Sequence, residues 1–133
     1  MSKNKLFYIF ISIILLFGIT IYGCNNPKLK PEDKAISLTQ DFLDKQNQIT
    51  SIIANIKNND DAMNQKDKLA SLLKDSDALY KEMKSIELTE EEQSLLEVRT
   101  NSDKKSSLEN FKKAVIGLKK LEIDQEFYQI FDQ

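Results

Sequence analysis

Long stretches of helical apolar repeat alternate along this chain with short polar breaks. Ala35, Phe42, Ile49 and Ile56 recur every seven residues, and Leu38, Ile52 and Ile53 fill the positions between them. A repeat of that period marks one face of an α-helix, which predicts a helix from about Pro31 to Lys57. Asn58, Asn59, Asp60 and Asp61 interrupt the pattern with residues that favour turns and helix N-caps. A second stripe follows, with Leu69, Leu72, Leu79, Met83 and Ile86 on one side and Leu73 and Tyr80 flanking it. It predicts a helix from about Ala62 to Ser85. The link between the two is short, so they are expected to pack as an antiparallel hairpin.

Thr89 followed by Glu90, Glu91 and Glu92 reads as a capping box. The threonine hydroxyl would accept from the Glu92 amide while the Glu92 carboxylate returns to the Thr89 amide. A third helix therefore starts near Glu90. Leu95, Leu96 and Val98 open its apolar face, Arg99 to Ser107 is wholly polar, and Leu108, Phe111, Val115, Leu118 and Leu121 resume. From Val98 to Leu108 the helix turns about 1000°, some 80° short of three turns, so the stripe does not resume in register. Either the helix breaks near Asn101, Ser102 and Asp103, or its polar middle extends past the hairpin. Ile123, Phe127, Ile130 and Phe131 form a last short stripe, rotated from the one before, with a bend expected near Glu122 to Asp124. After Pro31 the chain holds a single glycine, Gly117, and no further proline, a composition suited to helix. The expected fold is all-α: a small antiparallel bundle of about three main helices plus a short C-terminal helix over residues 31–133, with Phe42, Ile49, Leu72 and Leu118 buried.

Ahead of the bundle, Lys3 and Lys5 precede an unbroken apolar run from Leu6 to Tyr22, and small Gly23 precedes Cys24, the one cysteine of the chain. A basic start, an apolar run and a small residue make up a secretory signal. With Ile21 and Gly23 at the positions three and one before the cysteine, the segment resembles the lipobox of bacterial lipoproteins. The resemblance covers Met1 to Cys24 and implies a signal peptide over residues 1–23. It also implies that Cys24 becomes the new terminus, carrying a diacylglyceryl group on sulfur and an acyl chain such as palmitate on the freed amine. Two or three acyl chains anchor stably where one binds reversibly. Residues 24–30, with Pro27 among them, then form a tether whose six residues after the cysteine reach at most about 20 Å. The competing reading keeps Leu6 to Tyr22 as an uncleaved span, at the short end of the roughly 17 to 25 residues a bilayer needs. A soluble cytoplasmic chain would have to expose that apolar run to water.

Removal of the signal takes Lys3 and Lys5 with it and leaves 17 basic against 21 acidic side chains, a balance of −4. No overall basic charge points to nucleic acid. With its cysteine lipidated the domain has no disulfide, and apolar burial must supply its stability. Catalysis finds no constellation either. Histidine is absent, and no glycine-rich phosphate loop exists. The acidic pairs Asp60 with Asp61 and Glu90 to Glu92 suit first helical turns, where negative charge complements the helix dipole. Asp75 and Asp77 lack the glycine and closing glutamate of a calcium loop. No enzyme, cofactor or metal is expected.

Charge is nevertheless segregated. Lys105, Lys112 and Lys119 recur every seven residues, Lys113 and Lys120 sit one position on, and Lys104 completes the set. From Lys104 to Lys120 only Glu109 opposes them, giving +5, whereas Glu87 to Glu97 carries −5 and Leu121 to Gln133 carries −4. On a helical projection these lysines are expected to oppose the Leu108, Phe111, Val115 and Leu118 side. They read either as a solvated face offset by acidic neighbours or as an electrostatic dock for anionic headgroups, an anionic polysaccharide or an acidic protein. The sequence thus points to a lipoprotein anchored outside the cytoplasm, at the cell membrane or outer membrane, acting as a non-enzymatic helical binding module. Its partner would be an envelope or host protein or polysaccharide. The alternative is a structural envelope protein that self-associates through its heptad-like first helix.

Overall fold

The computed structural model describes residues 30–132. The signal segment, Cys24 and nearly all of the tether lie outside the described residues, as does Gln133. Three long helices run Pro31–Asn55 (α1), Asn59–Lys84 (α2) and Glu90–Lys119 (α3); a single turn, Gln125–Tyr128 (α4), then leads into a 3-10 turn, Gln129–Phe131. No strand occurs among the described residues, and the all-α bundle with a short C-terminal helix stands as expected.

Each of the three long helices begins where local chemistry supplies an acceptor or removes the need for one. Pro31 occupies the first turn of α1, where its missing N–H costs nothing. Asn58 caps α2, its Oδ1 accepting from the Asp61 amide at 2.8 Å. The three residues after it occupy the first turn, so α2 starts three residues earlier than the apolar stripe alone implied. At α3 the capping box is complete: the Thr89 amide donates to Glu92 Oε2 at 2.8 Å and the Glu92 amide donates to Thr89 Oγ1 at 3.3 Å. At the other end of α1 the chain turns extended at Ile56 (φ −70°, ψ 124°), which carries that side chain into the core, 6% exposed.

α1 is the central helix. It packs against both α2 and α3, while the α2 and α3 backbones stay farther apart. Lys34 to Glu82 at 3.0 Å and Lys45 to Asp75 at 3.0 Å staple α1 antiparallel to α2, as the short link required. α3 runs parallel to α1, with Arg99 and Glu32 3.7 Å apart near the two N-terminal ends. The seven-residue seam of Ala35, Phe42, Ile49 and Ile56 is buried throughout, and so are Leu72 and Leu118. At the C-terminal end of α1 the space between α2 and α3 is filled by the tail, where Phe127, Tyr128, Ile130 and Phe131 join Ile49, Ile53, Leu69, Phe111 and Leu118 in one cluster. The bend over residues 121–124 that allows this is pinned by Asn59, whose amide nitrogen donates to Asp124 Oδ2 at 2.7 Å and whose oxygen accepts from the Asp124 amide at 2.8 Å.

α3 differs from both alternatives drawn from its sequence. It is one unbroken helix of 30 residues, and its polar middle does not reach past the hairpin. Because the helix continues without a break, the register of Phe111 and Leu118 extends backwards through Ser107 and Thr100 to Leu96, and those residues face inward. Leu95 and Val98 fall off that line and are 38% and 76% exposed, a correction to the expectation that they open the packed face. Thr100 meets burial by donating to the Leu96 carbonyl at 2.8 Å.

Candidate functional site

The five lysines of α3 and Lys120 at its C-cap do not form one stripe opposite the packed side. A seven-residue repeat drifts about 20° per heptad on a straight helix, and here the drift carries the row toward the packed side: Lys105 is exposed, whereas Lys112 and Lys119 are half-buried. Lys104 lies still nearer the packed side. Burial lowers its ammonium pKa, and the Glu97 carboxylate only partly offsets that loss of hydration. Lys113 and Lys120 lie on the other flank, exposed.

Between the two flanks stands Ile116, 55% exposed. Residues three and four positions away are a helical residue's surface neighbours, and for Ile116 all four are lysines: Lys112, Lys113, Lys119 and Lys120. An exposed isoleucine is thus ringed by cationic side chains. Two carboxylates of the acidic tail are engaged on α2, Glu126 by Lys66 at 2.5 Å and Asp124 by Asn59. Among the described residues Lys105, Lys112, Lys113 and Lys120 take part in no ion pair. The ring also sits at the end of the bundle remote from the tether. α1 starts next to Lys30 and is 25 residues long, about 37 Å at 1.5 Å per residue, and the last turns of the parallel α3 lie beside its far end.

A second feature went unnoticed in the sequence. On the side of α1 away from α2, an open groove of about 960 Å³ runs between α1 and α3, from Gln40 to Lys57 on one wall and from Asp103 to Leu121 on the other. Its walls are largely small or polar, and Thr50 and Ser107 lie in them 7% and 2% exposed. The hydroxyls of both are buried without a hydrogen-bond partner. The apolar periodicity that reveals a core says nothing of such a surface, because its residues occupy the positions left over when the core face is assigned.

The carboxylate clusters serve the architecture. Glu90, Glu91 and Glu92 fill the first turn of α3, and Asp60 and Asp61 that of α2. Asp75 and Asp77 pair with Lys45 at 3.0 Å and Lys81 at 2.6 Å. No cluster of metal-ligating side chains occurs among the described residues, and none of their helices is long and apolar enough to cross a membrane. No family model, curated protein or solved structure matches this chain.

Proposed function

We propose that this chain is a lipid-anchored envelope protein, held at the membrane through Cys24, whose helical bundle binds an anionic macromolecular partner through the lysine-ringed end of α3. The observation that carries the reading is Ile116 with lysines at all four neighbouring helix positions, at the end of the bundle remote from the tether. A tether that reaches at most about 20 Å keeps the N-terminal end of α1 near the bilayer. The ring, at the other end of the bundle, is open to polymers or proteins of the envelope or its surroundings. The exposed isoleucine adds a short-range apolar contact to a longer-range attraction. The heptad seam of α1, the original ground for a self-associating structural protein, is consumed inside the bundle and no longer supports that reading.

The test uses the full chain reconstituted in zwitterionic vesicles. The parent is expected to bind a soluble polyanion such as polyglutamate or heparin. Binding should weaken with salt as the Debye length falls from about 10 Å at 0.1 M to about 3 Å at 1 M. Reversing Lys105, Lys112 and Lys120 to glutamate should abolish binding and leave helical circular dichroism intact, since none of the three is in the core. Mass spectrometry of the same membrane-extracted protein should find acylated Cys24 as its first residue. Failure of the parent to bind at low salt removes the dock, and finding Met1 to Gly23 still attached removes the lipid anchor.

A further inference from the structure

We infer that the α1–α3 groove is the docking face for a second copy of this chain, set antiparallel to the first about a two-fold axis normal to the bilayer, with both bundles lying along the membrane so that each tether reaches it. The inference begins with the charge on its walls. Four charged side chains line the groove: Asp44 on α1 and Lys57 just past its C-terminal end, and Asp103 and Lys113 on α3. None is in an ion pair among the described residues. Because α1 and α3 run parallel, both aspartates lie toward one end and both lysines toward the other. A groove acidic at one end and basic at the other is complementary to itself when inverted. In an isologous pairing residue i meets j and j meets i, so the acidic half of each copy faces the basic half of its partner. A groove complementary to a uniformly acidic or basic partner would carry one sign.

Gly117 points the same way. It lies inside α3, two residues before its last turn closes, and lines the groove. Glycine weakens a helix relative to alanine, and nothing within the chain requires it here: a Cβ at this position would meet no atom within 4 Å. The helix continues through Lys119 with an ordinary right-handed cap at Lys120 (φ −81°, ψ −10°), so Gly117 does not serve as the left-handed stop. Its missing side chain leaves backbone open to close approach from outside the chain. Asn47 and Asn110, which also line the groove and are exposed, each bring a donor and an acceptor, which a second copy would meet with its own.

The decisive experiment exploits self-complementarity. Two differently tagged copies of the full chain are expressed together and one tag is captured from solubilised membranes. The parent pair should co-purify. Asp44→Lys with Asp103→Lys makes a wholly basic groove, and Lys57→Asp with Lys113→Asp a wholly acidic one. Each double variant expressed with itself should lose co-purification, and the two expressed together should recover it. Gly117→Leu should lose co-purification while its melting temperature stays at or above the parent's, since the added side chain enters open space and improves helix propensity. Melting curves within the parent's range for every variant show that lost pairing is not lost folding. The inference is overturned if parent copies do not co-purify, if the swapped variants pair with themselves as well as the parent does, or if mixing the two swaps restores nothing. Because Lys105, Lys112 and Lys120 lie outside the groove, loss of polyanion binding in their variant leaves this result untouched.

Discussion

The two ends of the bundle are built from the same three helices and hold together differently. At the tail end, α1, α2 and α3 enclose a space that Phe127, Tyr128, Ile130 and Phe131 fill. Phe127 packs edge-on to Tyr128 with ring centroids 5.4 Å apart and to Phe131 at 6.0 Å. Among the described residues no such element arrives at the tether end. Ala35, Leu38, Phe42 and Leu96 are buried there, but Leu79, Tyr80 and Met83 on α2 and Ile86 just after it remain half-buried. Lys84 lies over the Tyr80 ring at 5.0 Å, covering an aromatic face with a cationic side chain. Three long helices with one central member cover two sides of that member. The fourth element turns such an assembly into a closed core, and among the described residues only one end has it.

That contrast predicts a gradient of sensitivity. Phe127→Ala should cost about 3 to 5 kcal/mol, because a fully buried aromatic leaves both lost transfer energy and a cavity. Leu96→Ala at the open end should cost nearer 2 kcal/mol, at the low end of the range for leucine, since surrounding side chains are freer to relax. Urea denaturation of the two variants compares the ends directly, and equal losses would erase the distinction.

The middle of the bundle offers a smaller effect of opposite sign. Ser76 on α2 is 3% exposed and its hydroxyl has no partner. Burying an unsatisfied hydroxyl costs about 1 to 3 kcal/mol, and alanine is the better helix former. Ser76→Ala should therefore raise stability by about 1 kcal/mol in the same denaturation assay. A loss would mean that the hydroxyl is bonded to water inside the protein.

The smallest effect depends on pH. Tyr128 is 3% exposed with an unpartnered hydroxyl, and burial raises its pKa above the usual 10.0. Above about pH 10 the unfolded chain loses this phenolic proton first, so stability present below that pH should fall as pH climbs toward the folded-state value. Lys104 contributes with the opposite sign, since its pKa is lowered in the fold. The difference between parent and Tyr128→Phe isolates the tyrosine, because both carry Lys104. Tyr128→Phe should match or slightly exceed the parent at pH 7 and hold its advantage more strongly at pH 10.5. Parallel melting-temperature profiles across that range would count against a buried phenol.

The sequence alone settled where helices form and which face of each carries the apolar core, wherever the stripe is continuous. The heptad of α1, the Thr89 capping box and the bend before the tail all follow from rules that act within a few residues. Those rules failed at α3. Its middle has no apolar residue to mark the inward side, and the register was set from a distance by Phe111 and Leu118 seated against α1. Thr100 and Ser107 are buried because a rigid helix must keep the phase that its far end imposes, and Leu95 and Val98 are exposed for the same reason. The lysine ring around Ile116 follows from that phase too, since only a fixed rotation decides which lysines flank an exposed residue and which, like Lys104, are drawn toward the core. The groove belongs wholly to tertiary structure: the separation of α1 and α3, and the alignment of their charges, exist only once two helices distant in sequence lie parallel.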